Sequence, residues 1–184
     1  MRTFIALELS EEVQEELARI QGNLKYAGAD IKWAKPDNIH LTLKFLGEVE
    51  ENKLGQIKNI LDRIASDNKP FELKLFKLGG FPSLDQPRVL WVGTDNGCVE
   101  AETIARSIEE GLEKIGFPKE DRPFRVHLTL GRLKSGKNKV QLRQKLLSLE
   151  VQPKSCAIRH ITLFQSTLTP SGPIYKPLHI SKLG

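Results

Sequence analysis

The chain has 184 residues, of which 39% are apolar, and its formal net charge is +5. This length suits one globular domain or two small lobes, and the apolar fraction supplies a sizeable core, so disorder is not expected. No run of 18 apolar residues is present, and the first residues lack a secretory hydrophobic stretch, which predicts a soluble, cytoplasmic protein without a membrane partner.

Apolar residues at helical spacing predict four helices, over about 10–24, 54–64, 99–115 and 138–149. Ser10 is a favourable N-cap for the first helix, and Gly116 with Pro118 ends the third. β-branched and aromatic residues, or strict alternation, predict strands at 2–9, 39–46, 70–78, 88–93, 123–131, 155–165 and 173–180.

The tetrapeptide His-Leu-Thr-Leu occurs twice, at residues 40–43 and at residues 127–130. Because side chains alternate between the faces of a strand, each histidine shares a face with the threonine two residues later, while the leucines face a core. Two imidazoles, each beside a hydroxyl, suit acid–base chemistry near neutral pH. A phosphoester is the substrate class that this pattern favours.

The elements of the first half recur in the second half after a shift of 87 residues, which takes His40 onto His127 and Phe71 onto Ile158. This order predicts an α+β fold for residues 1–184. It would be a single bilobal domain in which two pseudo-twofold-related lobes of mainly antiparallel sheet, backed by helices, flank a central cleft. The pseudo-repeats are predicted at about 1–82 and 88–168, with a C-terminal strand at 173–180.

Both motifs and their surroundings resemble the RNA 2′,3′-cyclic phosphodiesterases, also called 2′-5′ RNA ligases, of the two-histidine phosphoesterase superfamily. The resemblance rests on Arg2–Leu7 (RTFIAL), Asn38–Gly47 (NIHLTLKFLG), Arg122–Arg132 (RPFRVHLTLGR) and Leu163–Ser166 (LFQS), so it spans the whole chain. Val126 departs from the proline that relatives often carry before the second histidine, which alters rigidity at that point more than chemistry.

The resemblance implies hydrolysis of a terminal 2′,3′-cyclic phosphate of RNA to a 2′-phosphate, without a metal or another cofactor. It implies catalysis by His40 and His127, and by analogy His40 is the general acid and His127 the general base, although the reverse assignment stays open. The implied partner is an RNA end, with tRNA fragments as one candidate, and the chain is expected to act as a monomer.

Four further residues are predicted to bind substrate. The hydroxyls of Thr42 and Thr129 can donate hydrogen bonds to non-bridging phosphate oxygens. Arg132, where relatives often carry arginine, can hold a phosphate or stack on a base, or it can be a solvated residue at a strand end. Phe45 has the same offset from His40, and a buried core position is slightly favoured over a base-stacking platform.

His160 also has a threonine two places later, so a simple motif search returns three sites. The 87-residue shift pairs His160 with Leu73, outside the histidine strands, and this favours a structural or peripheral role. His179 has no comparable context. A zinc site lacks a third ligand at a recognisable spacing, and no Gly-rich loop for nucleotide phosphates is present.

Three functions therefore remain open. The leading one is a metal-independent RNA cyclic phosphodiesterase, with reversible 2′-5′ ligation as a second reaction of the same cleft. The others are a non-catalytic protein that binds RNA ends, and a phosphodiesterase for a small cyclic nucleotide. The net positive charge gives RNA weak support.

Overall fold

The computed structural model describes residues 1–184 and contains four α-helices and nine strands. The helices are α1 (Glu11–Lys25), α2 (Leu54–Ser66), α3 (Cys98–Glu113) and α4 (Lys139–Ser148). The strands are β1 (Arg2–Leu7), β2 (Ile31–Trp33), β3 (Leu41–Glu48), β4 (Phe71–Phe81), β5 (Val89–Asn96), β6 (Leu128–Leu133), β7 (Ser155–Ile158), β8 (His160–Thr169) and β9 (Gly172–Lys182). Two short 3₁₀ turns cover Pro36–Asn38 and Glu51–Lys53.

The strands form two sheets in which every pair is antiparallel. The first sheet has the order β3-β1-β8-β9, and the second has the order β2-β6-β5-β4-β7. The prediction of an α+β fold with antiparallel sheets and helices is confirmed. None of the helices is both long and apolar enough to cross a membrane.

Each sheet combines strands from both halves of the chain. In the first sheet, Ala6 of β1 pairs with Thr42 of β3 and with Thr162 of β8. In the second sheet, Trp91 of β5 pairs with Thr129 of β6 and with Gly79 of β4. The orders β3-β1-β8-β9 and β6-β5-β4-β7 are therefore equivalent, and β2 is an addition to the second sheet.

The equivalent pairs do not share one sequence offset. It is 87 residues from Thr42 to Thr129, 85 from Ala6 to Trp91 and 83 from Gly79 to Thr162. The 87-residue shift thus holds for the strands that follow the histidines, whereas His160 corresponds to Lys77 instead of Leu73.

Other sequence predictions differ from the structure in their boundaries. The strand predicted at 155–165 is interrupted at Arg159, and its two parts, β7 and β8, belong to different sheets. His40 and His127 each stand immediately before a strand instead of within it. The three-residue strand β2 was not predicted, because Ile31–Trp33 is too short to show alternation.

The two faces of the first sheet differ in what covers them. Ile5 and Leu7 of β1 belong to the main hydrophobic core, whereas Phe4 and Ala6 form a separate cluster with Phe164 of β8. Alternation along β1 therefore separates a core face from a second face that carries Thr42, Ala6 and Thr162. We call this second surface the histidine face, because the His40 ring stacks on Phe4.

A buried ion pair joins β3 to α3. Lys44 is only 2% exposed, and its Nζ lies 2.7 and 2.8 Å from the two carboxylate oxygens of Glu109 and 2.9 Å from the Pro118 carbonyl oxygen. Strict alternation along the strand predicts that Lys44 shares the face of His40 or lies at the surface, and both expectations are wrong. An irregularity in the β1–β3 pairing turns Lys44 to the core face, where only a paired charge can be buried.

Replacing Lys44 with Met should lower the free energy of unfolding by about 3 kcal/mol, because the Glu109 carboxylate then loses its cation. The double variant Lys44→Met/Glu109→Leu should recover part of this loss. Urea denaturation measures both values. Arg143→Met breaks the exposed pair with Asp85 and should change stability by no more than about 0.5 kcal/mol; an equal loss in the two single variants would contradict this account.

Candidate active site

His40 lies between the 3₁₀ turn Pro36–Asn38 and β3, and aromatic rings enclose it. The imidazole stacks on Phe4 at 4.7 Å between ring centroids and meets the edge of Tyr175 at 5.3 Å. Burial among these rings lowers the His40 pKa to about 4, although a backbone hydrogen bond at Asn38 opposes the shift. In the free protein this imidazole is therefore neutral near pH 7.

His127 has a comparable setting before β6. Its ring meets the edges of Phe81 at 5.1 Å and Trp91 at 6.4 Å. Nδ1 lies 2.7 Å from the Arg125 carbonyl oxygen, and because a carbonyl oxygen only accepts, Nδ1 carries the hydrogen and Nε2 is left for other partners. Burial lowers the His127 pKa; the Arg125 hydrogen bond opposes this, and the Arg132 guanidinium lowers the pKa further.

The two histidines occupy equivalent positions in the two sheets. Phe164 of β8 lies 6.2 Å from the His40 ring, and its counterpart Phe81 of β4 lies 5.1 Å from the His127 ring. The partly buried threonines of both motifs pair with equivalent residues of the central strands. The structure therefore gives each His–Thr pair the same place in its own sheet.

Phe45 and Arg132 also take equivalent positions. Phe45 pairs with Phe4, and Arg132 pairs with Val89. In both strands a pairing irregularity separates the motif threonine from the residue three positions later. Phe45 is 61% exposed and its ring lies 6.1 Å from that of Phe4, so the expectation that it is buried in the core was wrong. Arg132 is exposed and close enough to His127 to lower the pKa of that residue.

Sequence reasoning missed the aromatic residues that enclose the histidines. Trp91 is the clearest case, because its indole packs directly against Gly79. A Cβ at position 79 would be only 2.2 Å from Trp91 Cη2. The glycine pair 79–80 was available as a signal, since glycine inside a strand marks close approach of another group. The composition around these glycines predicts a loop, whereas they lie in β4.

The His40 and His127 sites contain no additional titratable ligands arranged for a metal. No group of three or more His, Cys, Asp or Glu side chains in the structure could hold a metal ion. What each site offers is a desolvated imidazole, a hydroxyl and an exposed aromatic or cationic side chain. These groups can transfer protons and bind an anionic substrate.

Residues 7–91 and again residues 92–175 match the model of the LigT-like phosphoesterase family. The chain belongs to this family. An RNA 2′,3′-cyclic phosphodiesterase of Methanocaldococcus jannaschii is 40% identical over 178 residues, which cover 96% of this chain and 97% of the relative. A protein of the same name from Methanothermobacter thermautotrophicus is 35% identical over 184 residues, covering 100% of this chain and 99% of the relative.

Solved structures of LigT-like phosphoesterases have the same fold. A Thermus thermophilus protein superposes with a TM-score of 0.82 at 29% identity, covering 100% of this chain and 98% of the other. Escherichia coli LigT in complex with 3′-AMP superposes with a TM-score of 0.77 at 26% identity, covering 99% and 97%.

In this LigT-like phosphoesterase, Gly79→Ala should displace the Trp91 indole, because the added methyl group overlaps the ring. We expect a loss of about 1–3 kcal/mol in stability and an altered tryptophan emission spectrum. Gly55→Ala is the matched control, since its Cβ meets nothing within 4 Å and alanine favours the helix α2. An unchanged emission spectrum in Gly79→Ala would contradict the assigned packing.

The low pKa of His40 predicts how this residue responds to an anion. A bound phosphate favours the imidazolium, so a nucleoside 2′-phosphate should raise the His40 pKa by about 1–3 units above its free value of about 4. Nuclear magnetic resonance titration of the imidazole measures both values, with His40→Gln used to assign the signal. A free pKa near 6.5 would contradict the burial described here.

Proposed function

We propose that this chain is an RNA 2′,3′-cyclic phosphodiesterase that hydrolyses a terminal 2′,3′-cyclic phosphate to a 2′-phosphate. The observation that carries the proposal is the His–Thr pair at equivalent positions of the two sheets. The names of the archaeal relatives give the same activity. His40 and His127 would face one central cleft between the sheets, with the phosphate between them.

The protonation states fit a general acid and a general base. His127 keeps its Nδ1 hydrogen on Arg125, so a neutral Nε2 can take a proton from the attacking water. Water oxygen then bonds to phosphorus, the bond from phosphorus to the ribose O3′ breaks, and protonated His40 gives its proton to O3′. The product carries a 2′-phosphate and a free 3′-hydroxyl.

His40 must gain a proton before it can act as the acid. Its pKa of about 4 leaves it neutral in the free protein, and the negative charge of the bound cyclic phosphate favours the protonated form. Substrate binding would thus raise the His40 pKa that burial lowers. Burial, aided by the Arg132 guanidinium, lowers the His127 pKa, which favours the neutral imidazole that can act as the base.

Four side chains would hold the substrate. Thr42 and Thr129 donate to non-bridging oxygens, where negative charge accumulates in the transition state. Arg132 places a guanidinium near the phosphate, and exposed Phe45 offers a face for a terminal base. The two sides of the site would therefore differ, with the positive charge of Arg132 on the His127 side and the stacking surface of Phe45 on the His40 side.

The same cleft can run the reaction in reverse when an RNA 5′-hydroxyl replaces water, which gives 2′-5′ ligation. Hydrolysis of a small cyclic nucleotide is the second candidate function, because E. coli LigT has been crystallised with the mononucleotide 3′-AMP. We propose RNA ends, with tRNA fragments as one source, as the substrate class, and a monomer as the acting form. No cofactor takes part in this scheme.

His40→Ala and His127→Ala should each lower kcat by about 10²–10⁴-fold on an RNA that ends in a 2′,3′-cyclic phosphate. His179→Gln is the control, because His179 bonds Asp62 of α2 and lies away from the histidine face. Assays in EDTA should give the same rates as assays without it. Tight RNA binding with no turnover in the unmodified protein would favour the non-catalytic alternative.

A further inference from the structure

The third His-x-Thr sequence lies on the histidine face of the first sheet. Ala6 pairs with Thr42 on one side and with Thr162 on the other, and paired residues share a face. Phe164, two residues beyond Thr162, lies 6.2 Å from the His40 ring. His160 is the first residue of this strand and is exposed, and its side chain lies on the same face as those of Thr162 and Phe164 because residues two apart share a face. It therefore shares the face of His40, with β1 between them.

Glu8 forms a cluster of polar side chains with Thr162 and His160. It directly follows β1, and the Thr162 hydroxyl donates a 2.7 Å hydrogen bond to Glu8 Oε2. Thr162 is fully buried, so this bond fixes the carboxylate, whereas Glu8 itself is exposed and its Oε1 can accept from a ligand. A cavity of about 210 Å³ opens here, lined by Glu8, Leu9, Ser10, Ala157, Arg159 and His160.

The second sheet has no counterpart of the cluster formed by Glu8, Thr162 and His160. Where the first sheet has Ala6 and Thr162, the second has Trp91 and Gly79, and the indole lies against the glycine. A Cβ at Gly93, which corresponds to Glu8, would be 3.0 Å from the same indole. The Trp91 indole thus covers Gly79 and Gly93 in the second sheet, whereas the first sheet has Ala6 and the Glu8–Thr162 hydrogen bond at the equivalent positions.

The side chains that line this cavity have the hydrogen-bonding groups that a ribonucleotide requires. Arg159 and His160 can donate hydrogen bonds to a phosphodiester, whereas the Glu8 carboxylate repels phosphate and accepts from a hydroxyl. Strands lie about 4.8 Å apart, so β8 is about 10 Å from β3 and beyond a cyclic phosphate held at His40. An RNA that ends in a cyclic phosphate continues only on its 5′ side.

We propose that Glu8, Arg159 and His160 bind the nucleotide immediately 5′ to the cyclic phosphate. Glu8 accepts a hydrogen bond from its 2′-hydroxyl, and Arg159 with His160 contacts its phosphodiester. The inference rests on the proposed function and adds a second nucleotide to its substrate. These contacts would make an RNA end a better substrate than a free cyclic mononucleotide.

The first experiment compares two substrates, an RNA oligonucleotide and a mononucleotide, each with a 2′,3′-cyclic phosphate. Arg159→Ala/His160→Ala should lower kcat/KM for the oligonucleotide by about ten-fold or more and leave the mononucleotide within about two-fold, because only the longer substrate reaches these side chains. Lys176→Ala removes a positive charge from the opposite face of the same sheet and should change neither value. Equal losses on both substrates, or no loss on either, would overturn the proposal.

The second experiment tests the hydroxyl contact. Deleting the 2′-hydroxyl of the penultimate nucleotide should lower kcat/KM several-fold in the unmodified protein and have little further effect in Glu8→Ala. Independent effects of the two changes would refute the Glu8 contact. Glu8→Gln, which keeps an oxygen for Thr162, should show an intermediate loss and guards against a folding defect.

Failure of the proposed function would give a different result. If the unmodified protein hydrolysed neither substrate, dissociation constants for the corresponding 2′-phosphates would carry the same comparison. A ten-fold weaker oligonucleotide complex in Arg159→Ala/His160→Ala, with mononucleotide binding unchanged, would then support the binding site without the catalysis. Equal binding by the variant and the unmodified protein would reject the site.

Discussion

Antiparallel pairing of the two central strands, β1 and β5, decides which side chains can meet at the site. Each is paired on both sides, with the strand that follows a histidine on one edge and a strand from the other half of the chain on the opposite edge. Register fixes the face of every residue in such a sheet. The pairings of Ala6 and Trp91 therefore place the two motif threonines, and those of Phe4 and Val89 place Phe45 and Arg132.

Desolvation of the histidines links this architecture to chemistry. The aromatic rings around His40 come from β1, β8 and β9, those around His127 come from β4 and β5, and burial among them lowers the pKa of both imidazoles. Two neutral histidines cannot serve as an acid–base pair by themselves. In the proposed mechanism an anionic substrate restores the proton to His40, so that the active protonation state depends on occupancy of the site.

The sequence was sufficient for the helices, most strands and the two motifs, because helical spacing, alternation and repetition are local signals. It failed where pairing across the sheet decides the outcome. Lys44 and Phe45 exchanged their expected environments because the irregularity in β1–β3 pairing adds a residue that alternation does not reveal. The glycine pair 79–80 indicates close approach of another group but not that Trp91 supplies it or meets His127, since the contact with His127 joins segments distant in sequence. The exact division into repeats at 1–82 and 88–168 stays a prediction, as do the roles of the site residues.

The exchange of strands between the halves has a consequence for how the protein is made. The first sheet combines β1 (Arg2–Leu7) with β8 (His160–Thr169) and β9 (Gly172–Lys182), so a ribosome must synthesise the 152 residues between Leu7 and His160, and then β8 and β9, before this sheet can close. Until then β1 has an open edge and the Phe4 cluster lacks Phe164. While the intervening residues are synthesised, the open edge of β1 can mispair, and pairing between segments so distant in sequence slows folding.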